Sequence, residues 1–262
     1  MKKVLYSDLD GTLFRYNEFG AYIDINDQNA INKWTESNYF GIATGRNIIS
    51  INKHFNDNNL KINMPYVLIN GALVYDHKND LVVYQDKLNK EVIIEAINYA
   101  NKHNLTMFLI GARTRYYVGT NNDIVLEHEK IKVEEINYDD ISKINFVIDK
   151  SKYHDILKDI KKFDSFDKLE LVPSSMTYIE IVNKGVSKYT GIIKAINYMS
   201  IEKYHLSTIG DYLNDYEMLK NSDLSFVPEN GLDSLKELAN YKVKSSNSNA
   251  VANTIEILSN LK

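Results

Sequence analysis

Val4-Leu5-Tyr6-Ser7-Asp8-Leu9-Asp10-Gly11-Thr12-Leu13, close to the start of the chain, is the stretch on which the fold turns. Its apolar run has no polar alternation, which suits a strand buried on both faces of a parallel sheet, with Asp8 at the carboxyl end. Open α/β sheets bind their ligands at that end. Residues two apart on a strand share a face, and the turn that Gly11 permits can re-aim the second carboxylate. A turn is also the commonest use of the Asp-Gly dipeptide. Asp8 to Leu13 alone therefore reads equally well as a turn after a strand.

Working outward, Asn26 suits a helix cap, and Ala30, Ile31 and Trp34 recur at helical spacing before Tyr39 to Thr44 reads as a second buried strand. After Thr44-Gly45-Arg46, the residues Ile48, Ile51 and Phe55 mark a second helix, and Tyr66 to Ile69 a third strand. The alternation predicts an α/β sheet. The middle of the chain differs: a helix over 90–104 precedes strands at 105–110, 116–119, 144–148, 169–172 and 178–182, interrupted by a helix over 153–163. This pattern predicts an α+β module inserted into the first sheet. From Ser187 the simple alternation returns, with helix 188–199, strand 206–210, helix 215–221, strand 224–227 and a terminal helix carrying Val251, Ile255 and Leu258. The expected division is a core of residues 1–83 and 184–262 around an inserted domain of residues 84–183.

The 262 residues are 44% hydrophobic and 25% charged, ordinary for a globular protein with a sizeable core. A net charge of -4 argues against a nucleic-acid partner, which needs a clustered excess of Lys and Arg. The absence of cysteine excludes disulfides, thiolate catalysis and zinc-thiolate sites. The apolar run before Asp8 is too short for a signal peptide, and no stretch approaches the ~18 apolar residues of a membrane span. A cytoplasmic protein with no membrane partner is the expectation.

Two further segments carry chemistry. Thr44-Gly45-Arg46 offers a hydroxyl, a flexible backbone and a helix start at a strand end, all suited to phosphate. Gly210-Asp211-Tyr212-Leu213-Asn214-Asp215 places two carboxylates and an amide after another strand. Four aspartates, Asp8, Asp10, Asp211 and Asp215, then converge on one sheet edge. Such like charges repel unless a cation is present, and an all-oxygen set favours Mg²⁺.

With these motifs in order, the chain resembles the haloacid dehalogenase (HAD) superfamily over nearly its full length: Asp8-Leu9-Asp10-Gly11-Thr12, then Thr44, then Lys188, then Gly210-Asp211 with Asn214-Asp215. The position of the inserted module, and Asn70-Gly71-Ala72 after the third strand, resemble the Cof-type branch with a C2 (type IIB) cap. Gly185-Val186-Ser187-Lys188 before a helix fits the third motif better than Lys184. Tyr212 stands where the family is often small, and Asn249-Ala250-Val251 lacks its acidic-glycine pair. Pro228-Glu229-Asn230-Gly231 keeps the family's loop asparagine.

The resemblance implies a Rossmannoid core with a mostly parallel sheet and an α+β cap, and Mg²⁺-dependent hydrolysis of small phosphomonoesters, sugar phosphates among them, through an aspartyl-phosphate. Asp8 is the implied nucleophile and Asp10 the general acid-base. Asp8, the Asp10 carbonyl, Asp211 and Asp215 are the implied metal site. Thr44, Gly45 and Lys188 would hold the phosphoryl group, Asn214 would orient Lys188 or the phosphate, and Arg46 would support this shell or reach the substrate. Candidate cap contacts are Arg113, Arg115, Tyr116, Tyr178 and Glu180. A phosphomutase and a noncatalytic phosphate-binding module are the alternatives. The expected partner is a small phosphate ester, with the chain a monomer or weak homo-oligomer.

Overall fold

The computed structural model describes residues 2–55, 60–120, 123–175 and 177–261. In chain order the strands and helices are β1 (Lys2–Ser7), β2 (Arg15–Asn17), β3 (Gly20–Tyr22), α1 (Ile25–Trp34), β4 (Tyr39–Ile42), α2 (Ile48–Phe55), β5 (Tyr66–Leu68), β6 (Leu73–Asp76) and β7 (Leu81–Gln85). Then come α3 (Lys90–His103), β8 (Thr106–Gly111), β9 (Arg115–Val118), β10 (Ile124–Leu126), β11 (Glu129–Ile131), β12 (Ile141–Val147), α4 (Tyr153–Ile160), β13 (Leu169–Val172) and β14 (Tyr178–Asn183). The chain closes with α5 (Lys188–Tyr198), β15 (Tyr204–Ile209), α6 (Tyr216–Asn221), β16 (Leu224–Pro228), α7 (Asp233–Leu238), β17 (Tyr241–Val243) and α8 (Ala250–Asn260).

The unalternating run of β1 puts it at the inside of a parallel five-stranded sheet of order β17-β16-β15-β1-β4. Val4, Leu5 and Tyr6 are fully buried, as a strand covered on both faces requires. The β1 ladder runs past its end: the Asp8 amide donates to Ile209 O (2.9 Å) and the Ala43 amide to Ser7 O (2.9 Å). These bonds fix the register at which β1, β4 and β15 stop. Asp8, Thr44 and Asp211 therefore leave the sheet side by side.

The inserted part is a second, seven-stranded antiparallel sheet of order β11-β10-β9-β8-β12-β14-β13. Its strands alternate. Met107, Leu109, Tyr116, Ile144, Phe146, Ile179 and Ile181 share one apolar cluster with the buried faces of α3 and α4. The opposite face carries Ile110, Arg115, Lys143, Asn145, Tyr178 and Glu180, and turns toward the carboxyl ends of the first sheet. An inserted α+β module is what the pattern predicts.

Several expectations are corrected. The third strand, β5, does not extend the parallel sheet: it opens an antiparallel unit β5-β6-β7 and meets the strand ahead of it at one bridge, Ala43 to Val67. The cap of α1 is Asp24, whose side chain accepts from the Asn26 amide (2.9 Å), so Asn26 itself is not the capping residue. The hairpins β2-β3 and β10-β11, and the edge strand β17, were not anticipated. Each strand in them has three residues, too few to show a period.

Candidate active site

At the amino end of α5, Ser187 and Thr190 cap each other: the Thr190 amide donates to Ser187 Oγ (3.2 Å) and the Ser187 amide to Thr190 Oγ1 (3.0 Å). That fixes Lys188 at the first helical position with its side chain pointed into the sheet edge. The Lys188 ammonium is fully buried and donates to Asp8 Oδ1 and Asp215 Oδ1, each at 2.6 Å. Lys184 is exposed, which removes it as the third-motif lysine. The loop 69–71 packs against this helix end, and Gly71 (φ +98°) lies against the Ser187 carbonyl with no room for a Cβ.

Asp215 Oδ2 accepts from the Asp211 amide (2.9 Å) and the Tyr212 amide (3.1 Å), so its carboxylate ties down the loop that carries Asp211. Asp211 Oδ1 in turn accepts from Thr12 Oγ1 (3.0 Å). Gly11 at φ +83° lets the loop after β1 approach so near Asp211 that a Cβ would collide with the carboxylate. Asn230 closes this side: its Nδ2 donates to Gly11 O (2.7 Å) and its Oδ1 accepts from the Ser246 amide (2.8 Å). Asn230 thus braces the loop after β1.

One oxygen from each of Asp8, Asp211 and Asp215 lies within 4.8 Å of the others. Burial raises the Asp8 carboxyl well above its ordinary value; Lys188 opposes this, and the neighbouring Asp215 and Asp211 reinforce it. Burial and the Asp215 charge push Asp211 up to about 6. Three carboxylates face one ammonium, an electrostatic deficit that a small divalent cation with hard oxygen ligands relieves. The donor set fits Mg²⁺.

Asp10 is turned differently. Its carboxylate accepts from Arg46 Nε (2.8 Å) and Arg46 Nη2 (2.6 Å), and also from the Tyr16 hydroxyl. Burial pushes Asp10 up, but the Arg46 and Tyr16 donors outweigh it and hold the carboxyl below its ordinary value. Arg46 thus supports Asp10. Tyr16, on the short hairpin, lay outside the sequence reading because an isolated tyrosine in a three-residue strand gives no signal.

Thr44 is buried at the end of β4, with its hydroxyl accepting from the Arg46 amide (3.3 Å). The Gly45 carbonyl accepts from Lys143 Nζ (2.9 Å), reaching down from β12. Lys143 also pairs with Glu180 (2.8 Å), both nearly fully buried. Glu180 accepts from Asn70 Nδ2 (2.8 Å) and Ser174 Oγ (2.7 Å), and Asn70 Oδ1 accepts from Asn214 Nδ2 (3.2 Å). Asn214 therefore holds Asn70 rather than Lys188, and a polar chain runs from the Asp215 loop through the cap to Gly45. Lys143 was missed, although Lys143 and Asn145, two apart beside the apolar residues Ile144, Phe146, Val147 and Ile148, mark one polar face of a buried strand.

A cavity of about 530 Å³ lies between the two sheets, lined from below by Asp8, Asp10, Thr44, Gly45, Arg46 and Asp211. From the cap, Arg115, Tyr178 and Glu180 reach it. Tyr116 does not: it is buried in the cap core, where its hydroxyl accepts from the Asn137 amide (3.0 Å). Arg113 pairs instead with Asp80.

The haloacid dehalogenase-like hydrolase family matches this chain over residues 5–255. The chain belongs to that family. Among its relatives is the 5-amino-6-(5-phospho-D-ribitylamino)uracil phosphatase YcsE of Bacillus subtilis, 26% identical over 97% of this chain and 94% of its own length. Among solved structures, a HAD/COF-like hydrolase from Plasmodium vivax is 27% identical with a TM-score of 0.82, covering 100% of this chain and 96% of that one. The HAD subclass IIB sugar phosphatase BT4131 shares the fold at a TM-score of 0.78 and 18% identity, over 98% of this chain and 99% of that one. The hydrolase thus has the core and cap architecture that its motifs imply. Among its described residues no helix is long and apolar enough to cross a membrane.

Proposed function

We propose that this enzyme, a phosphoric monoester hydrolase of the HAD superfamily, hydrolyses small soluble organophosphates, sugar phosphates among them, with Asp8 as nucleophile and Mg²⁺ as cofactor. The observation that carries the reading is the buried Lys188 ammonium shared by Asp8, after β1, and Asp215, just ahead of α6, beside Asp211. A nucleophile facing a phosphate must be an anion whose charge is offset by neighbouring cations.

The Asp8 carboxylate attacks phosphorus as the bond to the leaving oxygen breaks, giving an aspartyl-phosphate and an alcohol. Lys188, the Thr44 hydroxyl and the Gly45 amide hold the phosphoryl oxygens. Asp8, the Asp10 carbonyl, Asp211 and Asp215 would hold Mg²⁺, which when bound adds positive charge against the phosphoryl group. Asp10 gives a proton to the leaving oxygen and then takes one from the water that cleaves the aspartyl-phosphate, a role worth about 10²–10⁴ in rate. Because Arg46 and Tyr16 hold Asp10 ionised, its base half is served directly; the acid half needs that clamp to loosen as substrate enters. The name of the YcsE relative supports a polyol phosphate as one kind of substrate.

The test is phosphate release from p-nitrophenyl phosphate and a panel of sugar phosphates, with Mg²⁺ and with EDTA. Turnover should require Mg²⁺ and vanish in Asp8→Asn with the circular dichroism spectrum retained. A fully active Asp8→Asn enzyme would overturn the mechanism. Turnover of hexose phosphates that depends on a bisphosphate activator would favour a mutase instead.

A further inference from the structure

The cap face over the site is a sheet surface, so its side chains stand in rows set by strand register. Asn145 on β12 lies between Glu180 on β14 and Phe108 on β8. Arg115 on β9 is paired with Ile110 and lays its guanidinium on the Phe108 ring, 4.0 Å from the ring centre. Adjacent strands are ~4.8 Å apart. Arg115 and Asn145 are therefore brought together from either side of Phe108, and both line the cavity above Asp8.

Two properties set this pair apart. First, Asn145 is nine-tenths buried, and its Oδ1 is buried with no hydrogen-bond partner among the described residues. Such an orphaned acceptor costs ~1–3 kcal/mol and calls for a donor that the protein does not supply. Second, of the cations around the cavity one is left without a carboxylate. Lys188 is paired with Asp8 and Asp215, Arg46 with Asp10, and Lys143 with Glu180. Arg115 has no carboxylate partner among the described residues. With its central carbon 4.0 Å from the Phe108 ring centre, Arg115 keeps a planar fork of N–H donors, which suits a carboxylate or phosphate.

We propose that Arg115 and Asn145 form a subsite in the cap for the far end of the leaving group, selecting phosphomonoesters whose organic part ends in a second anionic group beside a hydroxyl. The anion pairs with Arg115, and the hydroxyl donates to Asn145 Oδ1. The inference rests on the phosphomonoesterase reading and narrows its substrate class to acidic polyol or sugar phosphates.

Binding calorimetry in an Asp8→Asn background, in Mg²⁺ buffer, tests it without requiring turnover. 6-Phosphogluconate against sorbitol 6-phosphate isolates a carboxylate, and fructose 1,6-bisphosphate against fructose 6-phosphate isolates a second phosphate. The acidic member of at least one pair should bind about tenfold more tightly, the scale of one charge-assisted hydrogen bond. Adding Arg115→Gln should bring that ratio to about one, and Arg115→Lys should restore part of it. Asn145→Leu should weaken both members of the pair and leave their ratio standing. Ratios near one before Arg115 is changed, or ratios indifferent to Arg115→Gln, overturn the subsite. Failure of the unmodified enzyme to release phosphate from any ester would overturn the phosphatase reading and leave these binding ratios to be judged on their own.

Discussion

Replacing Lys188 with methionine keeps most of the side-chain volume and removes a single charge. That charge is fully buried and holds two carboxylates at 2.6 Å. Burial alone would lower the Lys188 pKa, but the Asp215 and Asp8 charges outweigh it and hold it above its ordinary value of 10.5. A raised lysine pKa contributes stability that is fully present below 10.5 and is lost as pH rises through the folded value. At pH 7 the substitution therefore removes the whole contribution. Breaking a buried ion pair from one side costs ~3–5 kcal/mol, a large share of a total near 5–15 kcal/mol. The cost falls toward the lower end for two reasons: Asp215 Oδ2 retains the amides of Asp211 and Tyr212, and Asp8, whose carboxyl already sits high, can take up a proton. At ~3–4 kcal/mol and ~2–4 °C per kcal/mol for a chain of this size, the unfolding temperature should drop by roughly 6–16 °C. Scanning calorimetry at pH 7 in EDTA measures this. Added Mg²⁺ should stabilise the variant more than the parent, because it supplies charge to the same carboxylates. A variant within about 1 kcal/mol of the parent in EDTA would refute the claim that Lys188 holds this cluster together.

Three other perturbations probe separate parts of the argument. Gly71→Ala places a methyl against the Ser187 backbone carbonyl at a φ of +98°; it should cost ~2–4 kcal/mol in a urea titration and lower kcat by displacing Lys188. Lys143→Met leaves Glu180 buried with Asn70 and Ser174 as its remaining donors among the described residues and frees the Gly45 carbonyl. The expected results are a loss of ~3 kcal/mol and weaker inhibition by inorganic phosphate, read as a rise in its inhibition constant. His77 stacks on Tyr66 with ring centres 4.0 Å apart, and burial, helped by Lys78, lowers its pKa to about 4. The unfolded chain, titrating near 6.5, then binds the proton more tightly, so stability should fall as pH drops from 6.5 to 4. His77→Phe should flatten that part of the unfolding-temperature profile, and an identical profile in both proteins would show that His77 does not titrate this way.

Most of the core was legible because its signals are local. An unalternating apolar run, as in Val4-Leu5-Tyr6, implies a strand covered on both faces wherever it lies, and helical spacing such as Val251, Ile255 and Leu258 implies one buried stripe. What escaped were short elements, the three-residue strands together with β6, β7 and α7, and the fate of Tyr66 to Leu68, whose buried run suits a parallel or an antiparallel neighbour equally. Only pairing decides between them.

The sequence by itself determined that four aspartates and Thr44 would gather at one sheet edge, because strand ends on a parallel sheet fall together; Lys188, at a helix start, was added by the family resemblance. Tertiary structure alone decided which charge meets which: Lys188 goes to Asp8 and Asp215, Arg46 goes to Asp10, and Asn214 goes to Asn70. Hydrogen bonds act over about 3 Å, a scale on which register, helix entry and cap seating all count and sequence spacing says nothing. The same holds for Asn145 and Arg115. Each is ordinary in its own strand, and the two become one feature only when the cap sheet sets them on either side of Phe108 above the cavity.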